Sequence, residues 1–199
     1  MGGTKVDDRE HVHVETRAQW RAWLRRNHRR ASGVWLVTWR KASGRPALGY
    51  DDIVEEALCF GWIDSKGGKV DDDRTRLLMT PRTPGSGWSR PNKRRIEALE
   101  VSGSMAAAGQ AVVEAAKADG SWSKLDDVEN LVVPDDLVAA FRAHPRSGEQ
   151  WTGFPRSVQR SILEWILNAK RPETRARRID ETARLAAKGE RANQWTPRA

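Results

Sequence analysis

The segment Val34-Trp35-Leu36-Val37-Thr38-Trp39 constrains this chain more than any other. Its β-branched and aromatic residues alternate between two faces, and both faces are apolar. That is the pattern of an inner strand needing cover on both sides. Trp35 and Trp39 share one face and are expected to pack against helices. His11-Val12-His13-Val14 reads as a short strand and Arg74-Thr75-Arg76-Leu77-Leu78-Met79-Thr80 as a longer one. Gly67-Gly68 and Asp71-Asp72-Asp73 are turn material joining the second of these to an extended Trp62-Ile63-Asp64-Ser65-Lys66. A small antiparallel sheet follows.

Helical patterns surround these strands. Thr16 and Gln19 make a capping box ahead of a stripe of Trp20, Trp23, Leu24 and Asn27. Asp51 or Asp52 can cap a second helix, with Ile53, Val54, Ala57 and Leu58 inward, Glu55 and Glu56 outward, and Gly61 as its stop. Pro81, Pro84, Gly85, Gly87 and Pro91 forbid regular structure until Asn92 caps a helix carrying Ile96 and Leu99. An Ala-rich helix over 106–118 follows, then a helix from Pro134-Asp135-Asp136, and two long ones at 156–170 and 172–188. The expected fold is α+β: a small antiparallel sheet with flanking helices in the N-terminal half, followed by a helical C-terminal region. The expected division is an α+β domain at 1–105, a helix and connector at 106–135, and a helical domain at 136–199.

Hydrophobic residues make up 38%, and ten tryptophans raise the apolar volume available to a core. The net charge is +8, and the stretch from Pro155 to Ala199 holds 11 Lys and Arg against 5 Asp and Glu. That excess suits a phosphate-rich partner or a solvated helix face equally. No apolar run reaches the ~18 residues of a membrane span, and the first residues lack the apolar stretch of a signal peptide. Cys59, the single cysteine, sits among Leu58, Phe60 and Trp62 and reads as a buried core residue. A cytoplasmic protein is expected. His11 and His13 share a strand face, but no further ligands at a recognisable spacing complete a metal site. Neither a metal nor a cofactor is expected.

Two constellations stand out. Trp62, Asp64 and Lys66 would share one face of a strand, opposite a loop bearing Arg82, Trp88, Ser89, Asn92 and Lys93. The loop has five cationic residues between 82 and 95 and no carboxylate, so it suits a small anionic or aromatic ligand. Alternatively, Asp64 pairs with Arg82 or Lys93 and fastens the loop. The second constellation is Lys170, Arg171, Arg175 and Arg178, whose forked guanidinium groups fit phosphate or carboxylate. Neither contains a catalytic triad order, a Gly-rich phosphate loop or a metal motif. A binding protein for a small anionic ligand or a protein partner is the first reading. A nucleic-acid-binding protein using the basic C-terminal helix and an enzyme on a small anionic substrate are the alternatives.

Four stretches carry a family resemblance: Gly61-Trp62-Ile63-Asp64-Ser65-Lys66, Thr80-Pro81-Arg82, Trp88-Ser89 with Asn92-Lys93, and Ala169-Lys170-Arg171-Pro172-Glu173-Thr174-Arg175. Through them the chain resembles the YdeI/OmpD-associated, or bacteriocin-protection, family from about Trp20 to Gly189. The resemblance implies a link to bacteriocin tolerance or envelope stress. It carries over no catalytic residues.

Overall fold

A computed structural model describes residues 8–194. The chain forms two compact units, one ending at Ser123 and one beginning at Lys124.

The first unit contains a four-stranded sheet in the order β1-β2-β4-β3, made of His11–His13, Val34–Trp39, Arg74–Pro81 and Trp62–Lys69 for β1, β2, β4 and β3. β2 is indeed an inner strand. Its antiparallel partner is β4, with Val34 opposite Met79 and Leu36 opposite Leu77. The sheet is not wholly antiparallel, however, because β1 runs parallel to β2. The connection between them is α1 (Arg17–Asn27), and a crossover helix is the usual way to return a chain for parallel pairing. α1 opens on the capping box, with the Thr16 side chain accepting from the Gln19 N–H.

Helices α2 (Tyr50–Cys59), α3 (Arg90–Val101) and α4 (Ala107–Ala118) complete this unit. Trp20 and Leu24 of α1, Val54 and Leu58 of α2, Ile96 of α3 and Val113 of α4 share one core with Val34, Leu36, Met79 and Trp62. All four helices thus bury their apolar stripes on the same face of the sheet. The stripe of α2 is as expected, but its cap and outer face are not. Gly49 occupies the N-cap position and Asp51 and Asp52 lie in the first turn, where their charge suits the helix dipole. Glu56 does not face outward: it is buried and receives Arg17 Nε at 2.6 Å and Arg21 Nη1 at 2.7 Å. Asn92 does not cap α3 either; Ser89 is its N-cap, and Asn92 accepts from Arg95 at 3.0 Å.

β3 holds a bulge. Asp64 lies opposite Met79, but Gly67 lies opposite Leu77, so three steps on β3 match two on β4. Gly67 and Gly68, expected in a turn, are therefore ladder residues.

The second unit is helical among its described residues: α5 (Asp126–Glu129), α6 (Asp135–Ala143), α7 (Ser147–Thr152), α8 (Arg156–Leu167) and α9 (Pro172–Ala186). Leu137, Trp151, Ile162, Leu163, Ile166 and Ile179 form its core. Arg160 ties α8 to Glu129 of α5 at 3.0 Å. No described helix is long and apolar enough to cross a membrane.

Candidate anion-binding site

Arg82 follows directly on β4, and its N–H is held by the Gly61 carbonyl at 2.9 Å. The loop then turns at Thr83–Ser86, where Ser86 Oγ donates to the Thr83 carbonyl at 2.6 Å. This turn folds the Arg82 side chain back over its own loop. Its guanidinium carbon lies 3.7 Å from the centroid of the Trp88 ring, and Nη2 donates to the Gly87 carbonyl at 2.9 Å. Among the described residues no carboxylate forms an ion pair with Arg82. Burial pushes its guanidinium down to about 10, with no opposing charge to restore it.

Arg82, Trp88 and Ser86 line a cavity of about 90 Å³, closed on another side by Val112, Ala115 and Ala116 of α4. That space suits a few waters or one small acid group. Asp119 also lines it, and its carboxylate is engaged by the Ser121 N–H at 2.8 Å. Trp122 packs against Trp88 at 5.0 Å between centroids, and Lys93 Nζ stands 5.4 Å from the Trp122 ring. A short column of cation, indole, indole and cation results.

The wall from α4 stands where it does because of Gly109. A Cβ on Gly109 would lie 2.3 Å from the Cys59 carbonyl oxygen and 2.6 Å from that of Leu58. The same Cys59 carbonyl accepts the Ala106 N–H at 3.1 Å. The start of α4 therefore touches the end of α2 backbone to backbone.

Of the residues expected to form this site, Arg82, Trp88 and Lys93 come together, with Ser89 beside them as the N-cap of α3. Trp62, Asp64 and Lys66 do not join them as one face. Trp62 is a core residue whose Nε1 donates to the His28 carbonyl at 3.2 Å. Asp64 accepts from the Tyr50 hydroxyl at 2.9 Å, so it does not fasten the loop through Arg82 or Lys93. Burial and this contact with Asp64 push the Tyr50 phenol up to about 12. Lys66 is carried to the other side of the sheet by the bulge, where its Nζ lies 5.5 Å from the Trp35 ring. Trp122 and the α4 residues were not anticipated. Their only sequence signal is an Ala-rich helix followed by Gly120 and an aromatic residue.

In the second constellation, Arg175 grips Asp136 with two bonds, at 2.7 and 3.0 Å, and holds that carboxyl below its usual range. Arg178 donates to the Trp165 carbonyl and lies over the Trp165 ring at 4.8 Å. Both fasten α9 within its own unit. Lys170 and Arg171 are exposed just before that helix.

Two family comparisons divide the sequence along similar lines. Residues 130–189 match the family described as bacteriocin-protection, YdeI or OmpD-associated. That match does not reach the Trp62 and Trp88 motifs, which fall within residues 12–112, matched instead by a domain of unknown function (DUF8412). No curated protein and no solved structure matches the chain. Residues 130–189 are thus similar to the bacteriocin-protection, YdeI or OmpD-associated family, while through its sheet-bearing half the chain belongs to the DUF8412 family.

Proposed function

We propose that this is a cytoplasmic binding protein that takes a small anionic group, carboxylate or phosphate, at Arg82 and contributes to bacteriocin or envelope-stress tolerance. The observation that carries the reading is the state of Arg82: a half-buried guanidinium, stacked on an indole, with no acidic partner among the described residues. A buried cation left unpaired is costly, and an anion entering the cavity would relieve that cost. The match of residues 130–189 to the bacteriocin-protection family supports the tolerance role.

The test is thermal unfolding with inorganic phosphate or benzoate at millimolar concentration. A ligand that binds only the folded chain raises the melting temperature. Arg82→Gln should keep the circular-dichroism spectrum and lose the rise. In a bacteriocin-sensitive host, survival conferred by the wild-type protein should fall with the same substitution. If neither anion shifts unfolding and Arg82→Gln protects cells as well as the wild type, the reading fails.

A further inference from the structure

The side of the sheet facing away from the four helices has its own chemistry. Trp35, Val37 and Leu78 are buried yet lie outside the core those helices share. Cations cover this face. Arg76 Cζ stands 4.2 Å and Lys66 Nζ 5.5 Å from the Trp35 ring centroid, while Arg45 Cζ stands 4.3 Å and Arg74 Cζ 5.9 Å from that of Trp39. His11 and His13 are exposed on the edge strand beside them, His11 stacked on Trp35 and His13 edge-on to Trp39. Three of the described carboxylates near this face are engaged, one of them by Arg74 itself. Glu15 accepts from Trp39 Nε1 at 2.8 Å, Asp71 pairs with Arg74 at 2.6 Å and Asp72 with Lys69 at 2.5 Å.

We infer that this face binds single-stranded nucleic acid. The charge is of the right sign for a phosphate backbone, and it is spread over β3, β4 and the loop at Arg45 instead of gathered at one point. Lone surface cations lose side-chain entropy when they bind, but a guanidinium held against an indole has already lost part of it. The edge N–H groups of the exposed Arg45 can reach a phosphate while its outer plane takes a base, one of the recurring ways unpaired bases are held. The exposed imidazoles of His11 and His13 add two more stacking surfaces. The basic C-terminal helix is the weaker platform, since Arg175 and Arg178 are spent on Asp136 and Trp165.

The experiment is fluorescence anisotropy of the full chain with labelled oligo(U) and oligo(dT) of about 15 nucleotides. Wild type should bind either strand at about 50 mM salt, with affinity falling on a log–log slope of roughly −2 to −3, as expected for three or four released counterions. Arg45→Glu with Lys66→Glu should weaken binding by about ten-fold or more with only a small fall in melting temperature, since both side chains are exposed. Lys170→Glu with Arg171→Glu should leave the affinity unchanged, and so should Arg82→Gln, which separates this surface from the anion cavity. The inference is overturned if no binding is seen at low salt. It is equally overturned if the α9-side pair abolishes binding while the sheet pair does not, or if duplex DNA or heparin binds as tightly as the single strands.

Discussion

The two faces of the sheet obtain their cover in different ways. One face is closed by four helices, and its tryptophans are enclosed among rigid apolar neighbours: Trp62 is 1% exposed and stands edge-on to Trp23 at 5.8 Å. On the other, Trp35 is equally buried, but it lies beneath long flexible side chains ending in charge. The stems of Lys and Arg can shield apolar surface while their heads stay in water. Equal burial therefore corresponds to unequal rigidity, and only the second face presents charge to a partner.

The contrast is most directly broken by truncating a tryptophan on each side. Trp62→Ala should cost about 3–5 kcal/mol in chemical denaturation because the helices around it cannot collapse into the void. Trp35→Ala should cost about 1–3 kcal/mol, since flexible stems can fill part of the gap. Equal losses would show that the cationic cover is as rigid as the helical one.

Next in size is Glu56, the buried carboxylate at the edge of the helical face. Glu56→Ala leaves Arg17 with Asp52 and Glu55 and Arg21 with the Ser104 carbonyl, but it removes the buried partner of both and should lower stability by about 1–3 kcal/mol. A loss below that range would mean the two arginines simply turn to water.

Much of this arrangement is legible in the sequence, and the failures have physical causes. Val34–Trp39 declares an inner strand, and Thr16 with Gln19 marks a helix start, because both signals are local. Glu56 was misread because it lies off the apolar stripe of its own helix, and only arginines 35 and 39 positions away explain its burial. Lys66 was misplaced because one extra residue in β3 reverses every later side chain, and alternation alone does not reveal a bulge. The parallel pairing of β1 could have been anticipated, since a helix separates two adjacent strand patterns. At the candidate site, Arg82 and Trp88 were visible in one loop. Trp122 and α4 were not, because their approach depends on tertiary packing.

The third measurement concerns the edge of the helical face, where Tyr50, the only tyrosine, meets Asp64. In the fold its phenol keeps its proton up to about 12, against the ordinary 10.0. Below 10 this favours the folded chain fully; the advantage is lost as pH rises from 10 towards 12, because the unfolded phenol ionises first. Phenolate absorbance should therefore titrate well above free tyrosine, and Asp64→Asn should bring the midpoint down. An unshifted midpoint in the wild type would remove the contact. The smallest effect is expected at Arg45. Arg45→Ala should cost no more than about 1 kcal/mol, as an exposed cation–indole contact does. A larger loss would make the cationic cover part of the scaffold and weaken its case as a docking surface.

The contact at Gly109 has a consequence of a different order. Arg82 and the wall it faces belong to separate stretches of chain, and the gap between them is set by how closely two backbones meet at Cys59. Gly109 works as a shim of zero thickness. Adding a single methyl there would lever α4 outward and widen the cavity without altering any residue that lines it. Changes in ligand size could thus arise from a position that no ligand ever touches.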